Sequence, residues 1–233
     1  MLDVNGGRNL DVPELISIRQ FRNRKNLKDM VYQMLKQRIL NGEYKPGDQL
    51  LIEKLVQQLR ISKTPIKEAI NQLQAEGIVD IFSQRGTFIT SLSAKDIQDT
   101  FDVRKALELS ALEKLIDNLD GKDEVELKKW LREPDGKQAA DRRSLKLYDL
   151  NFHKYIIGAS KNKELIRVYD TLFTKIQMVL THPNQTEQIK LWTNEHAAII
   201  KNILKKDVVK AKEALCKHLD QACNRLIRAQ EQE

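Results

Sequence analysis

Two groups of side chains in this 233-residue chain have types and spacings that could do chemistry. Lys63, Lys67, Asn71 and Gln74 recur at i, i+4, i+8 and i+11, so on a helix they project from one side. That helix face carries two cations and two amides but no carboxylate, whereas an ordinary solvated face mixes signs. It suits an anionic, hydrogen-bonding surface. Ser62 and Thr64 add hydroxyls at the start of the same run, and Arg85 with Gly86 adds a cation in a tight turn. In the second group, Asp149 and His153 stand at i, i+4 and meet on one helix face, with His196 and His218 following 22 residues apart. Periodicity alone leaves these histidines open, because a histidine on a half-apolar helix is more often a hydrogen-bonded core or surface residue than a ligand. Arg104 and Glu108, also i, i+4, read on spacing alone as an ion pair. Cys216 and Cys223 share a helix face and read as small buried apolar residues of a reducing compartment.

The elements that position the first group are legible from Leu27 onward. Val31, Leu35 and Ile39 form a helical stripe closed by Gly42 and the turn Tyr44-Lys45-Pro46-Gly47-Asp48. A short second helix turns Ile52, Leu55, Val56 and Leu59 inward. A third runs from the N-cap position Ser62, with Pro65 in its first turn, to about Glu76, and buries Ile66, Ala69, Ile70 and Leu73. After Gly77, residues 78–82 and 87–90 read as strands joined at Ser83-Gln84-Arg85-Gly86. Three helices and a hairpin predict a winged helix-turn-helix over 27–92, preceded by an extension, 1–26, with a basic stretch at Arg19, Arg22, Arg24 and Lys25.

From 93 to 233 no strand is evident. Helices are expected at roughly 94–118, 122–133, 138–159, 162–181, 185–205 and 207–231, punctuated by Gly121, Pro134-Asp135-Gly136, Gly158 with Asn162, Pro183 and Asp207. The fold class is therefore mainly α, a winged helix-turn-helix followed by an all-α bundle. With aromatics at 6% and only 9 Gly and 5 Pro, long helices with short turns fit better than a β-rich fold. The apolar runs fall short of the ~20 residues a membrane span needs, and the first residues lack a secretory layout, so the expected compartment is the cytoplasm with no membrane partner. A net charge of +7 favours a polyanionic partner without identifying it.

These segments resemble a known family. Asn41-Gly42-Glu43-Tyr44-Lys45-Pro46-Gly47-Asp48-Gln49-Leu50, Ile61-Ser62-Lys63-Thr64-Pro65-Ile66-Lys67-Glu68-Ala69-Ile70 and Gln84-Arg85-Gly86-Thr87-Phe88-Ile89 are similar to the turn, recognition segment and wing of GntR bacterial regulators. Phe101-Asp102-Val103-Arg104-Lys105-Ala106-Leu107-Glu108, Asp149-Leu150-Asn151-Phe152-His153, Glu195-His196 and His218 resemble the FCD type of effector domain. The resemblance implies a homodimer on near-palindromic double-stranded operator DNA, contacted by Ser62, Lys63, Thr64, Lys67, Asn71, Arg85 and Gly86. It implies a divalent transition metal on Asp149, His153, His196 and His218, zinc first, with nickel, manganese or iron as alternatives for an N₃O set. It also implies that Arg104 holds a small carboxylate effector by paired hydrogen bonds.

The chain departs from the family pattern where Lys63 and Lys67 replace the usual Arg, which removes bidentate guanine recognition, and where Arg60 replaces a common Gly. The expected function is a ligand-responsive repressor and not an enzyme. The rivals are the same regulator with a metal-free dimerisation or lipid-ligand domain, and a His₃Asp metalloenzyme. No further general acid or base is evident near the metal motifs to serve the latter. His182, next to Pro183, fits no ligand position and reads as structural or exposed.

Overall fold

The computed structural model describes residues 24–131, 142–180 and 189–231, without the side chains of 24–26, 142–145 and 189–193. The basic stretch before Leu27, the Pro134-Asp135-Gly136 break, His182 and Pro183 lie outside the described residues and side chains. The chain divides into two compact units, one of residues up to Ile39 with Gly47–Thr90, the other of Leu40–Pro46 with Ser91 onward.

The first unit holds α1 (Arg24–Leu40), β1 (Gln49–Leu50), α2 (Ile52–Leu59), α3 (Lys63–Ala75), β2 (Val79–Phe82) and β3 (Gly86–Ile89). Its core is the three expected stripes: Val31, Leu35 and Ile39 of α1, Leu55 and Leu59 of α2, and Ile66, Ala69, Ile70 and Leu73 of α3. Burial of these apolar faces, not helix propensity, holds such short helices. Gly77, at φ +69°, closes α3 with a Schellman turn in which the Ile78 amide donates to the Leu73 carbonyl at 2.9 Å.

The sheet has one strand more than the hairpin predicts. Gln49 and Leu50 pair antiparallel with Phe88 and Thr87, giving the order β1-β3-β2. Two residues are too few to show period-2 alternation, so this strand is invisible to pattern reading. Arg60, at the C-cap of α2, takes the left-handed conformation (φ 52°, ψ 42°), which explains why glycine suits that position.

The second unit holds α4 (Ala94–Asp117), α5 (Gly121–Trp130), α6 (Arg142–Ala159), α7 (Lys163–Val179), α8 (Ile189–Leu204) and α9 (Val208–Gln230), with no strand among its described residues. Each well-defined start has a cap. Ser93 with Asp96 and Asp120 with Asp123 form capping boxes, Asn162 accepts from the Leu165 amide, and Asp207 accepts from the Lys210 amide. Gly121, expected as a break, is the first residue of α5, and Asp120 does the capping. Helix α9 packs against α4 and α8, and α4 packs against α6 and α7, so five helices share one core. No described helix is long and apolar enough to cross a membrane.

Candidate functional site

All seven residues expected at DNA, Ser62, Lys63, Thr64, Lys67, Asn71, Arg85 and Gly86, are exposed, on the N-terminal turns of α3 and on the wing. Ser62 occupies the N-cap position, but its hydroxyl makes no capping hydrogen bond. The wing is tied at its tip by a residue that sequence patterns miss. The Gln49 amide donates to the Arg85 carbonyl at 3.0 Å, and a Cβ on Gly86, whose φ is +108°, would sit 2.7 Å from Gln49 Nε2. The backbone conformation calls for glycine, and a larger residue would also push the Gln49 amide from its place. The Arg85 guanidinium lies 5.4 Å from the centre of the half-exposed Phe82 ring.

One expectation needs correction. The outward side of α3 is not free of carboxylates: Glu68 is exposed beside Lys67, and α2 brings a second, with Glu53 Oε1 2.5 Å from Lys63 Nζ. The hydrogen bond from Lys63 holds the Glu53 carboxyl below its usual range. Nothing in the local spacing of residues ten apart signals this pair.

In the helical unit, Asp149 and His153 on α6, His196 on α8 and His218 on α9 are all buried, and a donor atom from each lies within 4.8 Å of every other. Asp149 Oδ1 is 3.5 Å from His153 Nε2, 3.2 Å from His196 Nε2 and 3.7 Å from His218 Nε2. His218 Nε2 is 3.0 Å from His153 Nε2 and 3.3 Å from His196 Nε2. Metal–ligand bonds of about 2.0–2.2 Å place neighbouring donors roughly 3.0–3.5 Å apart, so the spacing fits one ion.

The outer contacts fix which imidazole nitrogens face inward. His153 Nδ1 is 2.6 Å from Glu108 Oε2, and His218 Nδ1 is 2.7 Å from Glu195 Oε2. With both carboxylates ionised, each Nδ1 carries the proton and donates, which leaves both Nε2 atoms as lone pairs. Two bare lone pairs 3.0 Å apart repel one another unless a cation or a shared proton lies between them. Each carboxylate is in turn held by an arginine. Arg104 Nε donates to Glu108 Oε1 at 2.7 Å, and the Tyr169 hydroxyl donates to the same oxygen at 3.3 Å. Arg225 donates through Nη1 and Nη2 to the two oxygens of Glu195 at 3.2 and 3.3 Å. Two Arg–Glu–His chains therefore enter the cluster, one from α4 and one from α8 and α9.

Protonation follows this frame. Burial pushes Glu108 up, but Arg104 and His153 outweigh it and bring it to about 2. Burial likewise opposes the ionised Asp149, and His153 and His196 hold it well below the carboxylate range. Burial depresses His196 to about 3, Asp149 only partly compensating, and also depresses His218. His153 runs the other way: burial opposes its charged form, but the carboxylates of Glu108 and Asp149 together outweigh it and raise it.

Two carboxylates, Glu108 and Glu195, stand beside the metal motifs. Both are committed to imidazole N–H groups and arginines, so neither is placed as a free general base. The Arg104–Glu108 ion pair read from spacing is present and fully buried, yet Arg104 Nη2 has no hydrogen-bond partner. His196 Nδ1 is a second buried nitrogen without one. Both cysteines are free, Cys223 buried and Cys216 half-buried.

Comparison with known proteins is consistent with both units. Residues 27–89 match the bacterial regulatory proteins of the gntR family, and residues 99–221 match the FCD domain. An HTH-type transcriptional regulator of Bacillus subtilis (strain 168), YdhC, is 29% identical over 201 residues, covering 84% of this chain and 88% of that protein. The HTH-type transcriptional repressor GlaR of Escherichia coli (strain K12) is 25% identical over 200 residues, 81% of this chain and 90% of that one. The Zn²⁺-bound FCD domain of the transcriptional regulator TM0439 superposes with a TM-score of 0.52 at 25% identity, over 61% of this chain and 99% of that domain.

Proposed function

The chain belongs to the gntR family of DNA-binding transcriptional regulators and carries an FCD effector domain, and from that premise we propose that it is a homodimeric repressor that senses a small carboxylate at a metal centre. Asp149, His153, His196 and His218 would hold the ion, zinc before nickel, manganese or iron. The observation that carries this reading is the pair of Nε2 atoms 3.0 Å apart in a buried site, each turned inward by a carboxylate on its Nδ1. That a similar FCD domain exists in a Zn²⁺-bound form supports zinc as the first candidate. The metal would act as a Lewis acid toward an effector carboxylate.

Arg104 suits the second half of the effector site. Its Nε is taken by Glu108, and the unpartnered Nη2 is a donor that burial makes costly to leave unsatisfied. A carboxylate bonded there would satisfy it. Through Glu108, the same contact reaches His153, so effector and metal would bind with mutual reinforcement. At the DNA unit, Ser62, Lys63, Thr64, Lys67, Asn71, Arg85 and Gly86 would meet one half-site, and effector binding would alter how a dimer fits two half-sites. The repressor sign follows the name of the similar GlaR protein.

The test begins with operator sequences selected from a random duplex pool by the zinc-loaded protein. A panel of small carboxylates should then release that DNA from wild type. Arg104→Lys, which keeps the buried charge but changes the donor geometry, should bind zinc and DNA and lose the response. A response that survives Arg104→Lys, or one that is indifferent to zinc removal, would count against the reading.

A further inference from the structure

Helix α3 presents its cations as if they were free for DNA, but Lys63 is engaged. Lys63 opens α3, and Glu53, in the first turn of α2, reaches it across the helix-turn-helix corner at 2.5 Å. Both side chains are open to solvent, 72% for Glu53 and 50% for Lys63, so the pair sits on the surface that would meet phosphates. The Lys67 charge, one turn further along α3, also acts on the Glu53 carboxylate.

We propose that Glu53 is a specificity-determining residue of the DNA unit: it holds Lys63 in an internal ion pair and thereby suppresses indiscriminate binding to phosphate. The proposal rests on the reading of Lys63 as a DNA contact. Non-specific affinity comes almost wholly from cations that neutralise phosphates and release counterions. Lysine is a point charge that any phosphate satisfies equally, whatever the sequence. A Lys63 already neutralised by Glu53 adds nothing to that term until the pair opens, and the freed carboxylate then repels a neighbouring phosphate.

An exposed pair is weak enough to be opened at the right site. Where a guanine offers O6 and N7 to Lys63, or a cytosine offers its N4 amine to Glu53, the partners exchange at little net cost. Along random sequence the exchange has no such compensation. Specificity is a difference between two affinities, and Glu53 widens it by lowering the smaller one.

The experiment needs no known operator. Full-length wild type, Glu53→Gln, Lys63→Gln and the double variant are titrated against a fluorescent mixed-sequence duplex between about 50 and 200 mM salt. Glu53→Gln is surface-exposed and should fold normally. It should bind about two- to fivefold tighter at the low-salt end, the worth of an exposed pair, with a salt slope steeper by about 0.9 for one added phosphate contact. In the Lys63→Gln background most of that gain should disappear. An unchanged slope in Glu53→Gln overturns the proposal while leaving Lys63 on DNA. An equal gain with and without Lys63 also overturns it, by showing a general charge effect. If Lys63→Gln alone leaves affinity and slope unaltered, Lys63 is not a DNA contact and the proposal falls with the reading beneath it.

Discussion

At the residue scale, the four metal-site candidates were legible because the resemblance names Asp149, His153, His196 and His218, and the structure brings all four together. Their supporting shell was not. Glu195 stands beside His196 in sequence but serves His218, 23 positions away, and Tyr169 meets Glu108 across 61 positions. No local spacing encodes such pairs. Their effect can be measured. In Glu195→Gln the acceptor of the His218 Nδ1 proton loses its charge and its Arg225 pair, so zinc affinity should fall by about tenfold or more. Competition with a chromogenic chelator reads this directly, and an unchanged affinity would remove Glu195 from the site. A second residue-level outcome concerns protons in metal-stripped protein. His196 and His218 are held neutral below their unfolded value of about 6.5, so the unfolded chain binds more protons and stability falls as pH drops below ~6.5. For His196 the loss continues toward about 3, and depressed Asp149 and Glu108 add to it below ~4. The raised His153 contributes fully below ~6.5 and loses its contribution as pH rises through its folded value, so it does not add to the acid-side decline. Denaturant midpoints measured at stepped pH should show the acid-side decline, and a flat profile from neutrality to about pH 5 would contradict it.

At the element scale, the helices were readable because each has an apolar stripe and most begin at a recognisable cap, as Ser93, Asn162 and Asp207 illustrate. The two-residue β1 was not, because it is defined by its partner β3 and not by its own composition. The consequence reaches function: β1 carries Gln49, which fastens the wing at the Arg85 carbonyl and lies against Gly86. The helix-turn-helix corner makes a separate prediction. Arg60 is held at φ 52°, a conformation that costs a residue with a Cβ about 1–2 kcal/mol, partly offset by the entropy glycine loses on folding. Arg60→Gly should therefore stabilise the DNA unit by up to ~1 kcal/mol in chemical denaturation. A loss of stability would show that the Arg60 side chain contributes more than its backbone strain costs.

At the scale of the whole molecule, one chain joins a DNA-reading unit to a helical unit whose polar core is unusually demanding. Arg104, Glu108, Asp149 and three imidazoles share one buried region, and such a network stabilises only when every member is satisfied. The facing Nε2 atoms of His153 and His218 and the spare Arg104 Nη2 are among the places where it is incomplete, and they are where metal and carboxylate are proposed to bind. The plan of wing and bundle was available from apolar periodicity and turn residues, and the family from the resemblance of its motifs. The proposed route from effector to metal was not, because Glu108 reads only as the i, i+4 partner of Arg104 until His153 is placed against its other oxygen. The central claim is that the helical unit is built around one metal ion. It is tested most directly by titrating stripped full-length protein with zinc in a calorimeter, beside His196→Asn and Asp149→Asn. One site per protomer in wild type, markedly weakened in both variants, is the predicted result, whereas no saturable binding, or binding untouched by both substitutions, would contradict it.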